Sequence, residues 1–500
     1  MRTSAAQALP APAAEPKSLP QHFGVEAKWL LAGDARLDSA YYATAAVTAL
    51  RALEAAGLPT ISLNDRRITS KVFNLPRFKR IYTRDPTKGW PYLSASEALA
   101  FRPSSVRWVA KDKAPDDAQR HFAQAGWILV TCSGVVGRCC IATKRLEQFF
   151  LTHDLLRIES VVPLGYLYAY LTSWIGQALM TREEYGATVS HLEPHHLAGI
   201  PVPLLPDGQQ QTIHDTVMQA YRLRDEANDL LDEADGLLYR ELGIAPFDDR
   251  QIPYIRPTAG DGIDHHPKAF SLKASDLTGR FDVSFHLPLA RTCVSQMEKG
   301  KYPLVKLGAL AEPYVAPRFR RIYVRREHGV PFLQGSHIPE RRPIDLKYLS
   351  RTAHKDLTPW TIRAGWVLVT CSGTIGRVTV APHAHEGWAA SQHIERIVPR
   401  EGRSHAGYLA AFLMTTYGQL QLTSKIYGGV VDELTADDTA AIWLPDAPPD
   451  VQERIGKPVV EAFEKKEQAN AFEDQAIHEL EAAIGGQPVL GRAHLSVSDD

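Results

Sequence analysis

The sequence predicts an α+β fold built twice: two homologous domains, each followed by a long α-helix, with the two helices pairing as a coiled coil. Three observations predict it. A 13-residue motif recurs about 240 residues further on. Other motifs recur around it in the same order. Each half closes with an amphipathic stretch much longer than an ordinary helix.

Gly126-Trp127-Ile128-Leu129-Val130-Thr131-Cys132-Ser133-Gly134 returns as Gly365-Trp366-Val367-Leu368-Val369-Thr370-Cys371-Ser372-Gly373, and both copies continue to Gly137-Arg138 and Gly376-Arg377, a shift of 239. Pro76-Arg77-Phe78-Lys79-Arg80-Ile81-Tyr82 matches Pro317-Arg318-Phe319-Arg320-Arg321-Ile322-Tyr323 at 241. Gly165-Tyr166-Leu167 with Gly176-Gln177 matches Gly407-Tyr408-Leu409 with Gly418-Gln419 at 242. Tyr185-Gly186 matches Tyr427-Gly428, and Arg36-Leu37-Asp38 has an echo in Arg280-Phe281-Asp282. Small loop insertions produce such drift, and the period far exceeds that of solenoid repeats. A duplicated domain is the consequence.

The elements follow in order. An Ala/Pro-rich stretch, 1–24, reads as a disordered tail; Pro10, Pro12 and Glu15 break the apolar core that a signal peptide needs. The first domain spans 25–205. In it Trp127 to Val130 reads as a buried strand ending in a Cys-Ser-Gly turn, Tyr166 to Met180 as a helix, and Ile200-Pro201-Val202-Pro203 as a closing strand. A long helix occupies 206–245, opened by Asp207 and Gln210 at capping-box spacing. Its seam is Ile213, Val217, Ala220, Ala227, Leu231, Ala234 and Leu238. A Pro/Gly-rich linker, 246–269, reads as extended. The second domain, 270–446, repeats the plan with a strand at Trp366 to Val369, a helix at Tyr408 to Leu422 and a strand at Ile442-Trp443-Leu444-Pro445. The second helix, 447–485, opens at Asp450 and Glu453 and carries Ile455, Val459, Ala462, Ala469, Ala476 and Leu480 on its seam; 486–500 reads as a flexible tail. Each helix is a rod of roughly 50 Å. Either could lie on its own domain, but the matched registers and small Ala residues favour close pairing of the two.

Composition narrows function. Among 500 residues, 56 Lys and Arg face 57 Asp and Glu, a net charge of −1, which excludes a uniformly basic coat for nucleic acid but not a local patch. The five cysteines form no CxxC pair, so a disulfide framework and a cysteine zinc site are both excluded. No apolar run approaches the roughly 18 residues of a membrane span, and a cytoplasmic protein is expected. No phosphate loop G-x-x-x-x-G-K-[ST] is present. Asp232-Glu233-Ala234-Asp235 spells a helicase box but falls on the amphipathic helix, and Gly260-Asp261-Gly262 falls in the linker. No Asn/Asp-Pro-Pro-aromatic loop exists to hold a flipped base. Glu464-Lys465-Lys466 lies on the second helix rather than on a nuclease strand. The histidines in Glu193-Pro194-His195-His196 and His383-Ala384-His385-Glu386 have no equivalents in the other half, and the recurrent Cys132 and Cys371 read as buried thiols. No catalytic residue, metal site or cofactor is expected.

Charge is nonetheless partitioned. Residues 64–88 hold eight Lys and Arg, and the matching stretch holds Arg318, Arg320, Arg321, Arg325 and Arg326. The first long helix is acidic through Asp225, Glu226, Asp229, Asp232, Glu233 and Asp235. Basic residues interleaved with aromatics suit phosphate contact and base-edge reading, against the alternative of a solvated surface strand. The candidates for contact with double-stranded DNA are Arg66, Arg67, Lys71, Arg77, Lys79, Arg80 and Tyr82 in the first half, and Arg318, Arg320, Arg321, Tyr323 and Arg325 in the second.

The Gly-[hydrophobic]-Leu-Val-x-x-Ser-Gly-x-x-Gly-Arg run, the later Tyr-Gly segment leading to Ile-Pro-x-Pro, and the helix behind it resemble a type I restriction-modification specificity subunit over about residues 25–485. The second copy departs in Ile442-Trp443-Leu444-Pro445, Gly-Trp stands where the family has Gly-Asp, and the Ala/Pro tail is extra. The resemblance implies two target recognition domains on an antiparallel coiled coil, which would read an asymmetric bipartite DNA site and fix its gap. It implies DNA methyltransferase subunits as partners, with translocase and restriction subunits beside them, and places catalysis in those partners. A DNA-recognition module of another phage-defence assembly is the first alternative, and a standalone DNA-modifying enzyme the second. The helix residues assigned to pairing are Ile213, Val217, Ala227, Ala234, Ile455, Val459, Ala469 and Ala476.

Overall fold

The computed structural model describes residues 45–83, 85–105, 107–181, 191–248, 286–427 and 432–485, with a few isolated positions besides. Both expected tails, the Arg36 and Arg280 echoes, Tyr185-Gly186, Gly428, Arg84 and most of the linker lie outside the described residues. Within the linker, Pro257–Thr258 pairs antiparallel with Gly262–Ile263.

Ten strands of the first half each have a counterpart in the second. They are β1 (Thr60–Ser62), β2 (Thr69–Phe73), β3 (Tyr82–Thr83), β4 (Gly89–Leu93), β5 (Trp108–Ala110), β6 (Trp127–Thr131), β7 (Cys139–Ile141), β8 (Phe150–Leu151), β9 (Leu155–Ser160) and β10 (Pro201–Pro203). Their counterparts are β11 (Leu304–Lys306), β12 (Ala311–Val315), β13 (Tyr323–Val324), β14 (Gly329–Leu333), β15 (Lys347–Ser350), β16 (Val367–Thr370), β17 (Val378–Val380), β18 (Ala389–Ala390), β19 (Ile394–Pro399) and β20 (Trp443–Pro445). The sheet orders repeat: β2-β9-β6-β7 with β12-β19-β16-β17, β3-β5-β4-β8 with β13-β15-β14-β18, and β1-β10 with β11-β20. Pairing is antiparallel except for β4 with β8 and β14 with β18.

Strand β6 is buried at every position because both faces of its sheet are covered. Ile128 and Val130 point into a helical core, while Trp127 and Leu129 point into a smaller one on the opposite face, the period-two alternation of a strand. Val367 and Val369 repeat the first arrangement and Leu368 the second.

The helices of five residues or more, among the described residues, are α1 (Ala45–Ala56), α2 (Leu164–Thr172), α3 (Trp174–Met180), α4 (Pro194–Ala198) and α5 (Asp207–Leu242), then α6 (Leu289–Met297), α7 (Ala406–Met414), α8 (Thr416–Ser424), α9 (Ala436–Ala440) and α10 (Pro449–Ala483). The single helix expected at Tyr166 to Met180 is two, α2 and α3. Ser173 turns extended between them and its hydroxyl accepts from Gly176 N at 3.2 Å, capping α3. Thr415 does the same for Gly418 at α8. The recurrent Gly165 and Gly407 sit where α2 and α7 cross the long helices. A Cβ on Gly165 would strike the His214 backbone, and one on Gly407 would strike the carbonyl of Gly456.

Helices α5 and α10, of 36 and 35 residues, run side by side in opposite directions. Arg454 bonds Glu241 at 3.0 Å near one end, Lys465 reaches Glu226 at 2.8 Å, and Arg224 reaches Glu473 at 2.5 Å. Every seam residue named above is buried. Around Ala220, Leu223 and Ala469, at the centre of the seam, the apolar packing is of helix on helix. Ile213 and Val217 share the first half's core with Ala476 and Leu480, while Ala227 and Ala234 share the second half's core with Ile455 and Val459. Each rod therefore packs on its neighbour and on both α/β units.

The expected capping boxes do not form. Pro206 and Pro448 hold the N-cap positions and have no side-chain acceptor. Gln210 Nε2 instead donates to Leu205 O at 2.7 Å, and its counterpart Gln452 donates to Ala447 O at 2.8 Å, tying down the chain as it enters each helix. Asp450 accepts from Arg454 one turn on.

Candidate nucleic-acid interface

In each half one aromatic nails down the basic turn. Phe78 packs edge-on against His121 at 4.8 Å and Phe150 at 5.4 Å, and Phe319 packs against Trp360 at 4.2 Å. The flanking residues then face outward. Arg77, Lys79 and Arg80 are exposed, as are Arg318, Arg320 and Arg325, while Arg321 is half-buried. Beside them Ile81 and Tyr82 are 37% and 42% exposed, and Ile322 and Tyr323 are both 39% exposed. Large apolar groups held out at equivalent positions of both halves suit contact with a partner better than chance. Lys347 stands 5.0 Å over the Tyr323 ring and Arg107 stands 5.9 Å over Tyr82.

Three other candidates sit elsewhere. Arg66 and Arg67 lie in the β1–β2 turn and Lys71 on β2. Arg67 is bound to Asp65 through contacts of 2.9 and 2.8 Å, and these hydrogen bonds hold the Asp65 carboxyl down at about 2. Lys71 covers the Phe73 ring at 4.3 Å. At the 242-residue shift Arg66 and Arg67 correspond to Gly308 and Ala309, so this part of the cluster is not duplicated.

The Ser-Gly turn lies beside the basic turn. Positive φ at Gly134 (76°) and Gly137 (81°), repeated at Gly373 (73°) and Gly376 (86°), makes the reversal that other residues resist. Gln177 Nε2 donates to Gly137 O at 2.7 Å and Gln419 Nε2 to Gly376 O at 2.8 Å, which accounts for the recurrent Gly-Gln. Cys132 and Cys371 are buried and donate weakly to the carbonyls of His153 and Gln392. Burial pushes both thiols up to about 12, the reverse of an activated nucleophile.

Two buried arginines escaped the sequence reading. Arg157 donates to Leu155 O and Thr152 O, and Arg396 donates to Ile394 O and Ser391 O. Burial lowers each guanidinium to about 10. Their signal was an Arg-Ile pair recurring at 239 within apolar strands. They brace the turn after β8 and β18, whose next residues meet the basic cluster: Arg80 bonds Asp154 at 3.1 Å and Arg321 bonds Gln392 at 2.7 Å. Leu192 N and Leu434 N donate to the carbonyls of Cys132 and Cys371, and Glu433 reaches Arg318 at 3.5 Å. Four stretches far apart in sequence thus converge on one surface in each half.

The halves also touch. Arg138, behind the first Ser-Gly turn, donates to Glu340 of the second half at 2.8 Å, whereas its counterpart Arg377 is exposed. A cleft of about 1100 Å³ opens there, between Ser133, Arg138, Glu340, Arg342 and Glu473.

Among the described residues, no three His, Cys, Asp or Glu side chains gather as metal ligands. His196 Nδ1 accepts from Glu193 N, and His383 and His385 pair with Glu464 and Glu467 of α10. Asp232 of the Asp-Glu-Ala-Asp run is held by Arg102 and Arg145. Among the described residues, no helix is long and apolar enough to cross a membrane.

No family model matches the sequence, and no curated protein matches it. Among solved structures, the chain is similar to the S subunit of the type I restriction-modification system from M. genitalium at 11% identity and a TM-score of 0.34, covering 85% of this chain and 94% of that one. It is also similar to the HsdS subunit from Thermoanaerobacter tengcongensis at 14% identity and a TM-score of 0.26, covering 86% and 96%. A third likeness is to a chain from a study of assembly and conformational transition of the type I R-M system, at 15% identity and a TM-score of 0.26, covering 85% and 98%.

Proposed function

We propose that this chain is the DNA-specificity subunit of a type I restriction-modification complex. Its two α/β halves, assigned to 25–205 and 270–446, act as target recognition domains for an asymmetric bipartite site in double-stranded DNA. Its long helices carry the two halves and dock methyltransferase subunits, with translocase and nuclease subunits beside them. The observation that carries the reading is the duplicated surface of basic turn, Ser-Gly turn and exposed Ile-Tyr pair, one copy on each half of an antiparallel helix pair.

The chemistry is that of a reader. Exposed Arg77, Lys79, Arg318 and Arg320 supply phosphate contacts that set register, and polar side chains beside them reach base edges in a groove. A protein whose task is binding needs no nucleophile, and catalysis falls to its partners.

The test is selection from a randomised duplex pool by the full chain, followed by sequencing. A motif of two different half-sites at a constant gap is expected. A single contiguous motif, or no enrichment over non-specific binding, overturns the reading.

A further inference from the structure

The turn that follows β8 and β18 is built alike in both halves down to its hydrogen bonds, yet carries different side chains. Thr152 N donates to Leu93 O at 3.0 Å, and Ser391 N donates to Leu333 O at 2.9 Å. Cys132 N donates to Asp154 O at 3.1 Å, and Cys371 N donates to His393 O at 2.9 Å. The thiols of the same cysteines lean on His153 O and Gln392 O, and the buried guanidiniums of Arg157 and Arg396 hold Thr152 O and Ser391 O from beneath. Every backbone support recurs at a shift of 239 to 240. What does not recur is the cargo: His153-Asp154 in one half, Gln392-His393 in the other.

These side chains stand where the basic turn presents its arginine. Asp154 accepts from Arg80 at 3.1 Å and from Thr152 Oγ1 at 2.8 Å, with His153 Nε2 at 3.2 Å. Gln392 Oε1 accepts from Arg321 at 2.7 Å and from Ser391 Oγ at 3.5 Å, and its amide nitrogen meets His393 Nε2 at 3.0 Å. Asp154 and His393 are partly exposed, as is Arg321, and Arg80 is exposed. A rigid mount with exchangeable polar groups next to a constant arginine is what a reader of varied base edges requires.

We propose that Asp154 in the first half, and Gln392 with His393 in the second, are specificity-determining residues that make the two halves read different bases. The inference rests on the DNA-recognition reading above. A carboxylate only accepts, so Asp154 selects an edge that presents an amine, as cytosine N4 does in the major groove. Gln392 offers a donor and an acceptor side by side, which matches adenine N6 and N7. The shared arginines, turns and tyrosines supply affinity common to both halves.

The experiment repeats the pool selection at fixed salt with the full chain carrying His153→Gln and Asp154→His, which transplants the second turn onto the first. The expected result is a change of preferred base at one or two positions of one half-site, by about tenfold or more, with the other half-site and the gap unchanged. Asp154→Asn, nearly isosteric, is the companion variant if thermal unfolding shows the transplant is not folded; it too shifts one position. An unchanged motif, or binding weakened equally for all sequences, overturns the inference while leaving DNA recognition intact. A wild-type chain that enriches nothing overturns the recognition reading and this inference with it.

Discussion

Arg102 reaches from the β4–β5 loop to Asp232 on α5 at 3.0 Å, and 240 residues later Arg342 reaches from the β14–β15 loop to Asp474 on α10. The duplication has preserved an ion pair between each half and the helix that follows it. Asp232 is about half exposed, so the pair stabilises by no more than about 1 kcal/mol and acts mainly by orienting the loop. Arg145 extends the contact to Asp229 at 2.6 Å. Asp229, Asp232 and Asp235 of α5 are therefore a docking strip for their own half's arginines. Between the loops lies the pair with larger consequences. Arg224 and Glu473, both 3% exposed, meet at 2.5 Å across the helices, and Tyr168 donates to the same carboxylate at 2.9 Å.

Breaking that pair should be costly and repairing it cheap. Glu473→Gln strands the Arg224 guanidinium in the interior, and a loss of about 3–5 kcal/mol is expected from urea unfolding. Replacing the whole group, as Arg224→Met with Glu473→Leu and Tyr168→Phe so that no buried hydroxyl loses its acceptor, should restore most of it. A loss under about 0.5 kcal/mol for the single variant would show that water reaches the pair.

Glu395 gives a pH dependence of opposite sign to the usual carboxylate. Its side chain is wholly buried, accepting from Thr439 Oγ1 at 2.7 Å where the first half has Leu156. Burial raises it from 4.5 to about 8. The folded state thus keeps a proton that the unfolded state gives up. Its stabilisation is complete below about pH 4.5 and is lost as pH rises through 8. The unfolding midpoint should fall across that window in the wild type, and the fall should be smaller in Glu395→Gln. Equal slopes in both would place the titration elsewhere.

Much of the fold was legible because the repeated residues are those whose contacts admit few substitutes. Gly165 and Gly407 recur for helix crossings, Tyr166 and Tyr408 for bonds to Pro203 O and Pro445 O, Gln177 and Gln419 for the glycine turns. What stayed hidden depends on tertiary context. The helix breaks at Ser173 and Thr415 sit in apolar runs that read as continuous helix. Arg157 and Arg396 are charges within apolar strands, and only the carbonyls that their guanidiniums bond account for them. Arg66, Arg67 and Lys71 joined the basic cluster in sequence, but the β1–β2 turn and β2 hold them apart from Arg77–Tyr82. Asp154, Gln392 and His393 carry no signal of their own, since a residue that differs between copies cannot be found by looking for repeats.

The exposed basic turn should set the salt dependence of binding. Replacing Arg318, Arg320 and Arg321 with Ala removes up to three phosphate contacts and should flatten the slope of log affinity against log salt by up to about 3. Arg321 is tied to Gln392 and Arg318 to Glu433, so Arg320→Ala alone should account for a full unit of slope. A slope unaltered in the triple variant would make this turn surface decoration.

If the helix pair sets the distance between the halves, lengthening it should move the gap in the bound site. Ala234 shares the second half's core with Leu238 and Leu242, so residues inserted beside it would shear that half off its support. The centre of the pair, around Ala220, Leu223 and Ala469, is where both rods can be extended together, at the cost of parting Arg224 from Glu473 and Arg138 from Glu340. Four residues after Leu223 and four after Asn470 add about 6 Å and rotate the seam by only about 40°. At about 3.4 Å per base pair, the gap should grow by about two pairs. Two residues at each place rotate the seam by about 200° instead and should prevent the helices from pairing. Pool selection with both variants, after thermal unfolding confirms which of them folds, separates the outcomes. A folded four-residue variant that enriches the original gap would show that something other than α5 and α10 measures the distance.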